Sequence, residues 1–205
     1  MVIVFDLDDT LYNEIDFVKS GFEEVANFLG DKNYFDFMMN EFQKNGSGKI
    51  FDKLIEKYDL NVSKNKLIEI YRFHTPKISL SNETKEILGY YKRKYPIALI
   101  TDGHYISQKN KFFALGLEKY IDFPIFTDFY HTKKPEKKAF EMVMKKYKNK
   151  NYVYISDNPK KDFFAPIELG WQTIRYKNPL GIYKDYENNA DIEINDLKEI
   201  LKVIK

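Results

Sequence analysis

Short apolar runs alternate along most of this 205-residue chain with stretches whose apolar positions recur every three or four residues. Four of the runs predict buried strands: residues 2–6, 97–101, 152–156 and 172–176. The first three end in polar clusters, DLDDT, TDGH and SDNPKKD. Helical spacing predicts helices over 107–117, 135–148 and 161–169, the last stopped by Gly170. A weaker pattern, DIEI at 191–194, adds an edge strand, and a final helix follows over 195–204. Strand and helix in alternation predict an α/β domain, a parallel sheet with helices on both faces.

Residues 13–78 break this rhythm. Ile15, Val18, Phe22, Val25 and Leu29 follow helical spacing, and Gly30, the NGSG at 45–48 and the Thr75–Pro76 pair punctuate the segment. No strand pattern occurs there. The segment predicts a small bundle of about four helices inserted into the α/β domain. The chain thus divides into 1–12 with 79–205, and an all-helical 13–78. NGSG is the expected mobile loop.

Composition narrows the function classes. Hydrophobic residues make up 43% of the chain, enough for a core, while a net charge of +2 gives no electrostatic argument for nucleic acid or a membrane surface. Arginine, the usual reader of base edges, occurs only at Arg72, Arg93 and Arg175. The lack of cysteine excludes disulfides and thiolate chemistry. No apolar run approaches the ~18 residues of a membrane span. No basic region followed by a long apolar one marks a signal peptide, so a cytoplasmic protein without membrane or nucleic-acid polymer partners is expected.

The candidate chemistry lies at the strand ends. Open parallel sheets bind ligands beyond the carboxyl ends of their strands. The clusters should therefore bring Asp6, Asp8, Thr101, Asp157 and Asp162 together, with Lys134 from a connecting loop. Asp6, Asp8 and Asp9 crowd carboxylates behind a buried strand, which is costly unless something positive meets them. Such oxygen ligands suit a hard cation, and Mg²⁺ is the usual choice beside phosphate. Singly, each residue has a structural reading: Asp6, Asp157 and Asp162 as helix caps, Asp8 and Asp9 as solvated turn residues, Thr101 as a packed strand residue, Lys134 as an exposed lysine. Jointly, a carboxylate pair, a threonine, a lysine and a second carboxylate pair in that order point to a site. Lys134 precedes Pro135, which biases it to extended backbone at a helix entrance. His74 reads as structural, and His104 and His131 lie close enough to two clusters to be candidate substrate contacts.

These residues resemble the four motifs of the haloacid dehalogenase superfamily, in the group with a helical cap inserted after the first motif. DLDDT (6–10), which includes Thr10, matches Asp-x-Asp-x-Thr, and LITDG (99–103) matches the second motif. Lys134 in KKPEKKAF matches the third, and YISDNPKKDF (154–163) the fourth. The resemblance implies a Rossmann-like core whose cap closes over the site. It implies a Mg²⁺-dependent phosphatase acting on a small phosphorylated metabolite, a sugar phosphate or a nucleotide, through an aspartyl-phosphate. Asp6 would be the nucleophile and Asp8 the acid and then the base. Mg²⁺ would bind Asp6, Asp157 and the backbone carbonyl of Asp8. Thr101, the segment at Asp102 and Gly103, and Lys134 would hold the phosphate. Asp162 would orient Lys134 or a metal-bound water, with Thr10 in support. A phosphomutase shares this chemistry. A receiver-like phospho-accepting module matches less, since it lacks counterparts of Asp157, Asp162 and residues 13–78. A dehalogenase is disfavoured by the presence of Asp8. Asp102 stands where this group commonly has Asn, so its carboxylate repels a phosphate, turns away, or hydrogen-bonds a polar substrate. A monomer or weak homo-oligomer is expected.

Overall fold

Six parallel strands form one sheet in the order β3-β2-β1-β4-β5-β6. The structure is a computed structural model and describes residues 1–204. The strands are β1 (Val2–Phe5), β2 (Ile97–Thr101), β3 (Phe123–Phe126), β4 (Tyr152–Ser156), β5 (Gln172–Tyr176) and β6 (Ile192–Ile194). Val4 pairs with Ala98 on one side and Tyr154 on the other. Every residue of β1, β2 and β4 is buried, the reason these strands read as unbroken apolar runs. The chain steps outward from β1 to β2 and β3, then crosses to β4 on the opposite side of β1. That reversal opens a crevice at the carboxyl ends of β1, β2 and β4, the three strands that carry the polar clusters.

By backbone contacts the chain divides into Met1–Glu14 with everything from Ser79 on, and a separate unit, Ile15–Ile78. The second unit consists of helices: α1 (Glu14–Leu29, its first residue in the other unit), α2 (Asn33–Asn45), α3 (Ile50–Tyr58) and α4 (Lys64–Phe73). Val18, Phe22, Val25, Met38, Leu54 and Leu67 form its core. His74 is buried at the end of α4, its ring nitrogens 2.7 Å from the Tyr71 carbonyl oxygen and 3.0 Å from Ser20 Oγ. Gly46–Lys49 of the NGSG region form turns between α2 and α3. No helix among the described residues is long and apolar enough to cross a membrane.

The α/β unit adds α5 (Asn82–Lys92), α6 (Tyr105–Ala114), α7 (Lys138–Lys146), α8 (Phe164–Glu168) and α9 (Ile200–Val203). Two of its elements have no counterpart in the sequence reading. Strand β3, FPIF, is short and holds Pro124, which an edge strand tolerates because its missing N–H can face outward. Helix α5 carries both a cap, Ser81, whose hydroxyl accepts the Thr84 N–H, and helical spacing of its buried Thr84, Ile87, Leu88 and Tyr91. The expected helix over 135–148 shortens to α7, because a turn closed by the Glu136 N–H and the Lys133 carbonyl comes first. The Lys134–Pro135 peptide is cis. The helix expected over 107–117 is α6, and a 3₁₀ turn at Leu117–Lys119 follows Gly116. The expected 161–169 contracts to α8, and the expected 195–204 becomes a 3₁₀ turn, Leu197–Glu199, running into α9.

Candidate active site

The end of β1 delivers Asp6 to the floor of a small cavity, and the end of β4 delivers Asp157 beside it. Asp162, brought back by the turn after β4, completes a cluster in which one carboxylate oxygen from each of the three lies within 4.8 Å of the others. All three residues are buried. Lys134 enters from the loop after β3, its Nζ 2.7 Å from Asp6 Oδ1, 3.0 Å from Asp162 Oδ1 and 3.1 Å from the Tyr154 hydroxyl. Its ammonium therefore answers two carboxylates, and their charges hold it well above the ordinary lysine value despite burial. Ser156 Oγ donates to the other oxygen of Asp162.

One lysine does not balance three carboxylates. Burial raises the Asp6 carboxyl to about 7, with the Lys134 charge offsetting part of the rise. Asp157 makes no ion pair among the described residues, and burial, with the charge of Asp6, raises it to about 9. A buried set of hard oxygen donors with an excess of negative charge fits a divalent cation of the Mg²⁺ kind.

Asp8, two residues beyond Asp6, has different surroundings. Its Oδ1 accepts from the Tyr12 hydroxyl at 2.6 Å and from Lys111 Nζ at 2.8 Å, and its Oδ2 accepts from Gln108 Nε2 at 2.7 Å. Burial alone would raise this carboxyl, but Lys111, Gln108 and Tyr12 together hold it below the ordinary value. Gln108 and Lys111 stand one turn apart on α6, so a single helix face serves both oxygens. Gly103 makes room for this: it sits at φ +128°, and a Cβ there would come within 3.1 Å of the Gln108 amide. Gln108 also donates to Thr101 Oγ1 at 2.8 Å and to the Asp102 carbonyl. Asp9 adopts φ 54° and accepts the Glu14 N–H at 2.9 Å, placing a carboxylate at the start of α1.

Asp6, Asp8, Thr101, Asp102, Lys134, Asp157 and Asp162 all line the same cavity. Among the described residues, Gly103, Thr10, His104 and His131 do not. Thr10 is buried in the turn behind Asp8. Asp102 turns away from the floor: its carboxylate accepts from Thr127 Oγ1 at 2.8 Å, from the Lys134 N–H at 3.2 Å and from Lys161 Nζ at 2.7 Å. Burial would raise it, but Lys134, Lys161 and Thr127 hold it below the ordinary carboxylate range.

Sequence reasoning missed Tyr12, Gln108, Lys111 and Lys161. A signal existed for two of them, since Gln108 and Lys111 interrupt the apolar face of the helix that follows the second cluster. A larger cavity in the helical unit, bordered by Phe22, Phe42, Ile50, Phe51, Ile68 and Tyr71, contains none of these carboxylates.

The sequence model of the haloacid dehalogenase-like hydrolase family matches residues 3–176. A glyceraldehyde 3-phosphate phosphatase of Methanocaldococcus jannaschii is 31% identical, with 99% of this chain and 96% of that protein aligned. The glyceraldehyde 3-phosphate phosphatase of Pyrococcus furiosus is 28% identical over 100% of this chain and 92% of its own. Among solved structures, a HAD hydrolase of Bacillus subtilis bound to magnesium superposes with a TM-score of 0.74 at 15% identity, covering 100% of this chain and 98% of that one. At that identity the likeness shows the fold alone.

Proposed function

The chain belongs to the haloacid dehalogenase-like hydrolase family and is an enzyme of its phosphatase kind; from that premise we propose that it hydrolyses a small sugar phosphate, of the glyceraldehyde 3-phosphate class, through an aspartyl-phosphate on Asp6. One observation carries the reading: Asp6, Asp157 and Asp162 bring carboxylate oxygens within 4.8 Å of one another at the floor of a cavity that Asp8, Thr101 and Lys134 also line, with Lys134 Nζ 2.7 Å from Asp6. The cavity encloses about 140 Å³. Pockets that bury drug-sized ligands run to roughly 300–1,000 Å³. That favours a phosphate on a short stem over a nucleotide. Both archaeal relatives carry the name of a phosphatase for such a substrate.

In this mechanism an Asp6 oxygen attacks phosphorus, the phosphorus–oxygen ester bond breaks, and Asp8, having first taken up a proton, passes it to the departing oxygen. Asp8 then takes a proton from the water that attacks the aspartyl-phosphate, releasing inorganic phosphate and restoring Asp6. Thr101 Oγ1 and the Lys134 ammonium hold phosphate oxygens, and Asp162 keeps Lys134 in place. Asp6, Asp157 and Asp162 are the residues that would hold Mg²⁺, with the Asp8 backbone carbonyl. Bound there, the ion supplies the positive charge that lets an anionic nucleophile approach an anionic phosphate. The helical unit is proposed as the family's cap domain. The test is phosphate release by the purified protein with Mg²⁺ from glyceraldehyde 3-phosphate, other short sugar phosphates and nucleoside monophosphates. Turnover confined to nucleotides would reject the substrate class, and no release from any ester would reject the activity.

A further inference from the structure

The two cations that line the cavity among the described residues, Lys134 and Lys161, are not equivalent. Lys134 lies at the floor with 1% of its side chain exposed and two carboxylates as partners. Lys161 lines the same cavity with 35% of its side chain exposed and one partner carboxylate, Asp102, at 2.7 Å. Asp102 is itself fixed by the Thr127 hydroxyl and the Lys134 N–H, so it holds the Lys161 ammonium in a set place. An ammonium has three protons to donate, and one acceptor leaves it capacity for a ligand oxygen.

Beside Lys161, the segment after β5 forms a wall of the cavity with Ile182 and Tyr183. Ile182 is 68% exposed, so its side chain is open to a ligand in the cavity that it lines. The segment is nonetheless anchored. Arg175, completely buried on β5, donates to the carbonyls of Tyr183 and Tyr186 at 2.7 Å each and pairs with Glu193 at 3.0 Å. Asn178 Nδ2 donates to the Asp9 carbonyl at 2.9 Å, and Lys160 Nζ lies 4.2 Å from the Tyr186 ring centre. Burying a guanidinium is costly unless its donors are matched. Here much of that matching serves to hold two carbonyls of a surface segment, so the wall is a built feature of the site.

We propose that Lys161, with Ile182 and Tyr183 as its wall, recognises the part of the substrate that departs with the ester oxygen: a short carbon stem bearing a carbonyl, carboxylate or hydroxyl oxygen. The inference rests on the phosphatase reading and places specificity in the α/β unit's own loops. An oxygen on the stem accepts from the ammonium while the carbon chain packs on Ile182. A bare aryl leaving group offers no oxygen for Lys161.

The experiment compares kcat/KM for glyceraldehyde 3-phosphate and for phenyl phosphate, both with Mg²⁺, in the wild type and in Lys161→Met, Lys161→Arg and Ile182→Ala. Loss of a hydrogen bond from a charged donor predicts that the glyceraldehyde-to-phenyl ratio falls roughly ten- to hundredfold in Lys161→Met, chiefly through KM. Lys161→Arg recovers part of the ratio, and Ile182→Ala lowers it by a smaller factor. An equal loss on both substrates in Lys161→Met, or an unchanged ratio, overturns the proposal; the first result means that Lys161 serves only to hold Asp102. Wild-type hydrolysis of phenyl phosphate tests the phosphatase reading separately. If that activity is present and the ratio does not move, the recognition proposal fails alone. If the wild type hydrolyses neither ester, both fail.

Discussion

Asp6 and Asp8 leave the same strand two residues apart, yet the fold treats them in opposite ways. Asp6 is set among Asp157 and Asp162, with Lys134 as the one cation in contact with it among the described residues, and burial raises its carboxyl to about 7. Asp8 accepts from Tyr12, Gln108 and Lys111, and its carboxyl falls below the ordinary value. The Asp6 side needs further positive charge to hold its anion, which the proposed metal ion would supply. The Asp8 side already has donors for its carboxylate. In the proposed mechanism one carboxylate becomes covalently occupied and the other handles protons: the donors that favour the Asp8 anion suit its base step, and its acid step requires that Asp8 first take up a proton.

The comparison breaks most severely at Lys134. Lys134→Met leaves Asp6 and Asp162 facing each other in a buried floor without their shared ammonium. Removing one partner of a buried ion pair costs roughly 3–5 kcal/mol. The expected outcome is a loss of that order in chemical denaturation, together with loss of turnover. A variant as stable as the wild type would show that the floor is better solvated than its burial implies.

On the other side, Lys111→Met removes one of three donors to Asp8 and leaves Tyr12 and Gln108. The expected loss in kcat is on the order of tenfold for an alkyl phosphate, which needs its leaving oxygen protonated. It is smaller for an aryl phosphate, whose leaving group departs with less help. Equal losses on the two esters would remove Lys111 from the proton-handling side.

The smallest expected effect is a pH dependence that belongs to the Asp6 side. The folded-state carboxyls of Asp6 and Asp157 are raised to about 7 and about 9, so without metal the folded protein holds protons that the unfolded chain releases near its ordinary carboxylate values. Their contribution to stability is present at acid pH and is lost as pH rises through about 7 and then about 9. Mg²⁺ competes with those same protons. The rise in melting temperature on adding Mg²⁺ to chelator-treated protein should therefore be greater at about pH 8.5 than at about pH 6. A metal effect that shrinks as pH rises would contradict the assignment.

Much of this arrangement could be read along the chain. The buried runs of β1, β2 and β4 and the polar clusters behind them place Asp6, Thr101, Asp157 and Asp162 on one sheet edge, because parallel topology leaves few alternatives. The four helices of residues 14–73 follow from apolar spacing. What escaped was of two kinds. Strand β3 is a weak local signal, a short edge strand with a proline, whereas helix α5 was legible in its serine cap and its helical spacing but was not read. Lys111 interrupts the apolar spacing of its helix, but nothing in the sequence names its partner, and Lys161 is an ordinary lysine there. Lys111 meets Asp8 across 103 positions and Lys161 meets Asp102 across 59, so their partners become visible only once the fold is closed. Asp102 illustrates the same limit: three outcomes were open for its extra carboxylate, and its partners in the structure, Thr127, the Lys134 N–H and Lys161, come from distant parts of the chain.

The division of labour between Asp6 and Asp8 is tested most directly by trapping the phosphoenzyme. Asp6→Asn and Asp8→Asn are each mixed with an aryl phosphate and Mg²⁺, quenched in acid at short times, and mapped by mass spectrometry. Asp6→Asn should carry no phosphate and show no turnover. Asp8→Asn should still form the aspartyl-phosphate, because an aryl oxide leaves with little protonation. The activation of water is then impaired, so phosphate should accumulate on Asp6 while steady-state turnover falls by ~10²–10⁴-fold. Phosphate recovered on Asp8, or turnover surviving in Asp6→Asn, would contradict the account.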